Sequence, residues 1–230
     1  MAPIDEGLLV ANRISELEES PITGLFDTAH LRAVHRHIFQ DLPHHHPGQF
    51  RRDAPAWVKS RELESGERYY VPYAPRRIVE QGLMQVLREL HGPTGFKGLV
   101  LNQFATRMAQ CYANLDYLHP FSEGNSRTLR TFTRQLAREA GFELDWSPRN
   151  ADGVARDRLY RARDVAVILQ TYSGLDEQRA MATEDRMEYE TYFVLRKLQT
   201  QAPSLAALIQ AYATQRSSDP SYTRDENLES

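Results

Sequence analysis

The chain has 230 residues, of which 41% are hydrophobic and 26% charged, with a formal net charge of −3. That size and apolar share suit one domain with a substantial core rather than two full ones. The near-neutral balance gives no electrostatic case for direct nucleic acid binding or an anionic membrane, and a single cysteine, Cys111, rules out an internal disulfide framework.

No apolar run approaches membrane-spanning length, and the acidic start Met1-Ala2-Pro3-Ile4-Asp5-Glu6 does not read as a signal peptide. The expected location is therefore the cytoplasm. Leu8, Ala11, Ile14 and Leu17 recur at helical spacing, and residues 21–24 break the pattern, so residues 1–27 read as an N-terminal helix and connector. Asp27 or Thr28 caps a second helix whose Leu31, Val34, Ile38 and Phe39 face the core, with His30, Arg32 and Arg36 left to solvent. It ends near Asp41-Leu42-Pro43. The tract His44-His45-His46 is not read as a metal site, because adjacent histidines point in different directions and the sequence offers no converging distant ligand.

Ala56-Trp57-Val58-Lys59 and Arg68-Tyr69-Tyr70-Val71 favour strands, with Glu64-Ser65-Gly66 available for the turn, which predicts a hairpin over residues 56–73. Pro72 and Pro75 lead into a helix carrying Ile78, Val79, Leu83, Val86, Leu87 and Leu90, which stops at His91-Gly92-Pro93 before a loop over residues 94–98. Leu101, Phe104, Ala105, Met108, Cys111, Tyr112, Leu115 and Leu118 mark a buried helix. Cys111 falls on its apolar face and reads as core, not nucleophile. Pro120 ends that helix, since a proline disfavours the α conformation for the residue before it. Leu129, Phe132, Leu136 and Ala140 mark the next helix, closed by Gly141. After the connector Gly141-Phe142-Glu143-Leu144-Asp145-Trp146-Ser147, a further helix carries Leu159, Ala162, Val165, Ala166 and Leu169. Met187, Tyr192, Leu195 and Leu198 predict another, and Leu205, Leu208, Ile209 and Tyr212 one more, with a polar, fraying tail from Ser217.

The chemistry concentrates in His119-Pro120-Phe121-Ser122-Glu123-Gly124-Asn125-Ser126-Arg127-Thr128-Leu129-Arg130, at the elbow between two helices. The first N–H groups of a helix lack intrahelical partners and sit at the positive end of its dipole, so they bind anions. Gly124 lets backbone approach a phosphate, and Asn125 tolerates the turn while offering an amide donor. Arg127 and Arg130 share a helix face, so both guanidinium groups reach one polyphosphate. Glu123 offers hard oxygen ligands for Mg²⁺, and His119 is placed to take a proton from an incoming hydroxyl. Each residue alone has an ordinary structural explanation: a helix-opening glutamate partners the dipole, paired arginines line a solvated face, and a histidine fills a core. Their assembly in one elbow favours a reaction centre.

This stretch resembles the signature of the Fic (Fic/Doc) family, H-P-F-x-[D/E]-G-N-G-R-x-x-R, matching eight of nine fixed positions. The resemblance implies an all-α Fic fold, a helical bundle around a central helix-loop-helix with one small β-hairpin flap. It implies transfer of AMP from ATP to a protein Ser, Thr or Tyr hydroxyl, with pyrophosphate released. By position, His119 is then the base, Phe121 a core anchor and Glu123 the Mg²⁺ ligand. Gly124, Asn125 and Ser126 belong to the anion cradle, and Arg127 and Arg130 hold the distal phosphates. Ser126 departs from the usual glycine; it is small and keeps its N–H, so the cradle is expected to survive with an added hydroxyl. Doc-like members, with a lysine there, phosphorylate proteins instead, and that activity is the closest alternative. A silent Fic-like binding module is the other.

The likeness extends from Phe39-Gln40-Asp41 to Gly48-Gln49-Phe50-Arg51, similar to the family's G-Q-x-R segment before the flap, and into the connector over residues 141–147, whose counterpart contributes to the adenine pocket. The Fic core is expected over residues 28–200, with a C-terminal helix and tail over 201–230. The resemblance also implies a target protein bound along the hairpin by strand addition. A toxin or a secreted effector is the family-level role. Many members are restrained by [S/T]-x-x-x-E-[G/N]; Ser15 with Glu19 is followed by Ser20, and Glu226-Asn227 is preceded by Tyr222, so both patterns fail at one position. Restraint by a separate small antitoxin-like chain is therefore the expectation.

Overall fold

The computed structural model describes residues 5–52 and 57–216. Its centre is α4 (Leu101–Leu118), where Phe104, Ala105, Met108, Cys111, Tyr112, Leu115 and Leu118 are all buried. A helix so apolar needs neighbours on several sides. They are α3 (Arg76–Leu90), α5 (Asn125–Glu139), α6 (Gly153–Thr171) and α9 (Leu205–Tyr212), while α1 (Glu6–Glu19) and α2 (Thr28–Phe39) lie together against α5. Burying each large side chain stabilises the fold by roughly 1.5–3 kcal/mol relative to leaving it in water. One apolar cluster runs from Val10 and Leu17 on α1 to Leu208 and Ile209 on α9, so both ends of the described chain pack on the central helix layer. α7 (Glu177–Ala182) and α8 (Arg186–Gln201) complete the α-helices among the described residues, α8 packing on α6.

The helix starts follow local chemistry. Asp5, Asp27, Asp152, Asp176, Asp185 and Ser204 each accept a hydrogen bond from a first-turn N–H, a contact worth typically ~1 kcal/mol. Asp27, not Thr28, caps α2. Strands β1 (Trp57–Glu62) and β2 (Arg68–Tyr73) form the expected hairpin, paired from Trp57↔Tyr73 to Glu62↔Arg68. Tyr69, Val71 and Tyr73 turn inward onto Val167, Ile168, Leu195 and Leu198. The fold is all-α with this one small hairpin; the connector after α5 adds a short pairing, β3 (Phe142–Leu144) with β4 (Ala213–Gln215).

Several faces differ from the periodic reading. On α1, Leu8 and Ala11 are exposed while Val10 and Leu17 are buried, so the inward stripe is rotated. On α6, Leu169 is exposed and the buried face carries Arg163 and Asp164 beside Val167 and Ile168, because both charges find partners inside. His30, expected at the surface, is buried beside Phe26 and Phe132. The expected loop over 94–98 begins as a 3₁₀ turn (Gly92–Phe96). Cys111 is buried, which pushes its thiol up to about 12 and leaves it inert. Ala56, the tail from Ser217 and the pattern at Tyr222 and Glu226-Asn227 lie outside the described residues. Among the described residues, no helix is long and apolar enough to cross a membrane.

Candidate active site

α4 stops at His119, whose backbone turns left-handed at φ 43° and ψ 60°. Pro120 bars the right-handed conformation, and a left-handed non-glycine costs on the order of 1–3 kcal/mol unless its surroundings hold it. Arg51 supplies that hold. Its Nε donates to the His119 carbonyl at 2.8 Å, its Nη2 donates to the Ala74 carbonyl at 2.5 Å, and its own N–H donates to the Pro120 carbonyl at 2.8 Å. Arg51 is the arginine of the G-Q-x-R segment, and it is buried.

The loop after Pro120 is closed by Asn125. Its Oδ1 accepts from the Phe121 N–H at 2.9 Å and its Nδ2 donates to the Phe121 carbonyl at 2.6 Å. One of the two amide hydrogens of Asn125 thus ties the loop together, and the residue also stands in the first turn of α5, lining the cleft. Gly124 precedes that turn at φ +79°, and a Cβ there would collide with the Phe39 ring. Close packing and a positive φ demand the glycine, whatever approaches from the cleft side.

His35 is a supporting residue that the sequence reading missed. The Gly48 N–H donates to its Nδ1 at 2.9 Å, which leaves the proton on Nε2 to donate to the Glu123 carbonyl at 3.2 Å. The ring stacks on Phe121 at 3.8 Å and 12°. Burial lowers its pKa to about 4, so the imidazole is neutral at pH 7 and acts as a fixed strut. Its position on the same α2 stripe as Leu31, Ile38 and Phe39 was the available signal.

All seven residues singled out by sequence line one cleft of about 430 Å³: His119, Glu123, Gly124, Asn125, Ser126, Arg127 and Arg130. Lys59, Ser60, Arg61 and Tyr73 of the hairpin and Arg149, Tyr160 and Arg163 close it. His119 is 7% exposed and packs against Tyr73, ring centroids 4.0 Å apart. Burial, then the nearby cations Lys59, Arg163, Arg51 and Arg61, push its imidazole well below the ordinary histidine pKa. Its Nδ1 lies 4.0 Å from Asp116 Oδ1, too far for a hydrogen bond.

Arg127 lies over Phe39 at 5.0 Å, and burial lowers the pKa of its guanidinium. Arg130 is brought down to about 10 by burial, with Arg149 and Arg163 adding repulsion. Among the described residues neither arginine makes an ion pair with a carboxylate. Two half-buried cations without counterions fit an anionic ligand. Glu123 is the one carboxylate lining the cleft among the described residues, and its Oε1 meets Lys59 Nζ at 2.9 Å. One exposed carboxylate beside the open first turn of α5 is a donor that suits Mg²⁺, an ion that usually pairs one or two carboxylates with water and phosphate oxygens.

A second groove of about 610 Å³ between α1, α5 and the connector shares Arg127 and Arg130 with the cleft. Ser15 and Glu18 line it; Glu19 does not. Glu18 instead pairs with Arg134. Glu6 reaches His44 and His45, their nearest atoms 3.1 and 3.4 Å apart, so α1 provides the distant carboxylate that the sequence reading of the histidine tract lacked.

A model of the Fic/DOC family matches residues 25–137. The chain is 36% identical over 182 residues to "Protein adenylyltransferase VbhT" of Bartonella schoenbuchensis, covering 77% of this chain but 33% of that one. It is 33% identical over 162 residues to "Probable protein adenylyltransferase y4lH" of Sinorhizobium fredii, covering 70% and 72%. The fold is similar to that of BepC, a VirB-translocated effector from Bartonella tribocorum solved with bound AMPPNP, at 20% identity and TM-score 0.60 over 92% of this chain and 86% of that one. With the signature assembled at the mouth of α5 and a relative matched over most of its length, the chain belongs to the Fic/DOC family.

Proposed function

We propose that this chain is a protein adenylyltransferase that moves AMP from Mg·ATP to a Ser, Thr or Tyr hydroxyl of a target protein. The observation that carries the reading is the convergence, in one cleft, of a neutral imidazole at His119, the open N–H groups of α5 and two arginines without a carboxylate partner among the described residues. The relatives named above support it.

In this reading the hydroxyl oxygen attacks the α-phosphorus, His119 accepts the hydroxyl proton, and the bond from the α-phosphorus to the bridging oxygen breaks. Pyrophosphate leaves towards Arg127 and Arg130. Bound at Glu123, Mg²⁺ would neutralise phosphate charge. The chain's own share is placement and preorganised charge: the α5 amides and the arginines already point where negative charge develops, so little reorganisation is needed. In β1, each residue of Trp57–Glu62 has its strand partner in β2, leaving the other edge to accept target backbone by strand addition. The same reading assigns restraint to a separate antitoxin-like chain, since Glu19 is exposed and outside the groove that Arg130 lines.

Purified protein and lysate incubated with α-³²P and, separately, γ-³²P ATP test the activity. Label from the α position on protein supports AMP transfer; label only from the γ position means phosphorylation and overturns it.

A further inference from the structure

Ser126 stands where the family signature has glycine, and its hydroxyl is the meeting point of two arginines from different helices. Arg130 Nη1 donates to Ser126 Oγ at 2.5 Å, and Arg163 Nη1 donates to the same oxygen at 2.9 Å. Arg163 is itself immobilised: Nε and Nη2 hold the two oxygens of Asp116 at 2.9 and 2.8 Å, with Arg163 3% and Asp116 0% exposed. The result is a chain of contacts, Asp116 to Arg163 to Ser126 to Arg130, running from α4 through α6 to the face of α5 that lines the cleft.

We infer that Ser126 is a positioning residue: its hydroxyl oxygen fixes the Arg130 guanidinium, against the buried Asp116–Arg163 pair, in the place where the terminal phosphates of a nucleoside triphosphate bind. This rests on the functional reading above. Arg130 is one turn after Ser126, so a single helix face presents both. An arginine side chain carries substantial rotamer entropy, which an acceptor in the protein removes before ligand arrives. The oxygen also separates two like charges that otherwise repel across the cleft wall. A glycine at 126 offers neither the acceptor nor the link to Arg163.

The α-phosphate, held at the first turn of α5, does not depend on this link; the distal phosphates do. The test is calorimetric binding of ATP, inorganic triphosphate and AMP to wild type, S126A, S126G and S126T, with thermal unfolding of each and label transfer by wild type. The expected result is a loss of about tenfold or more in ATP and triphosphate affinity for S126A and S126G, the scale of one charge-assisted hydrogen bond, with AMP affinity unchanged and S126T close to wild type. A merely structural role would lower the unfolding temperature and weaken AMP and ATP alike. Unchanged ATP affinity in S126A, or equal losses for ATP and AMP, overturns the inference while leaving AMP transfer by wild type intact. A wild type that binds ATP with the expected S126A deficit but transfers no AMP label keeps the inference and sinks the activity. Absence of ATP binding by wild type sinks both.

Discussion

Lys59 of the hairpin meets Glu123 of the motif loop, Nζ to Oε1 at 2.9 Å, and also donates to the Ser122 carbonyl at 3.3 Å. The two side chains are 30% and 59% exposed, so the pair contributes only about 0–1 kcal/mol to stability. Its interest is competition, because the lysine occupies the carboxylate proposed to hold Mg²⁺. Lys59→Met is expected to lower the Mg²⁺ concentration for half-maximal AMP transfer by up to about fivefold, the equivalent of that pair energy, with thermal stability nearly unchanged. A Mg²⁺ titration of both proteins checks this; an unchanged or raised half-saturation would refute competition.

His119 is already neutral in the free protein, so the proton uptake proposed for it needs no prior deprotonation at pH 7. Below its depressed pKa the imidazole is protonated and cannot serve, which places the acid limb of kcat/KM below the usual histidine range. Bound polyphosphate offsets Lys59, Arg163, Arg51 and Arg61, so the acid limb of kcat should lie higher than that of kcat/KM. Measuring both profiles tests the shift. His119→Ala is expected to lose on the order of 10²–10⁴-fold in rate.

The elbow itself was legible because its signals are local: an apolar stripe into Pro120, a glycine at 124 and a second stripe out to Gly141. What holds the elbow was not. Arg51, His35, Asp116 with Arg163, and Arg61 with Asp164 make contacts spanning 13 to 103 residues of chain. Periodicity assigns a charged residue to solvent unless its partner is known, so the inward arginine and aspartate of α6 displaced Leu169 from the face it was expected to share. The resemblance marked Arg51 through G-Q-x-R without revealing that it clamps the His119 backbone. Asn125 is a related case: its type suits phosphate, and only the structure shows that its amide also ties the loop through the Phe121 backbone.

Replacing Gly124 separates two reasons why a turn needs glycine: its positive φ and the space a Cβ would need. Gly124 and Gly66 both have φ near +78°, but a Cβ at Gly66 meets nothing within 4 Å, whereas at Gly124 it enters the Phe39 ring. Gly66→Ala is expected to cost about 1 kcal/mol, from backbone conformation alone. Gly124→Ala adds overpacking, for a total of roughly 2–4 kcal/mol. Denaturant unfolding of the two variants reads the difference; equal losses would remove the steric part.

Acid should loosen the fold through His35 before most carboxylates titrate. Its folded pKa of about 4 lies below the ordinary 6.5, so the unfolded chain binds the proton first as pH falls. Stability from this neutral strut is complete above pH 6.5, declines through the window from 6.5 to 4, and is fully lost below it. At pH 5 the loss relative to pH 7 is ~2 kcal/mol from His35 alone, and His119 and His30, also depressed by burial, act in the same direction. Urea midpoints at pH 7 and pH 5 measure the slope. His35→Gln is expected to be less stable at pH 7, because the stack on Phe121 is lost, yet to show a shallower fall between the two pH values. A variant whose midpoint falls as steeply as wild type would show that His35 is not the titrating group.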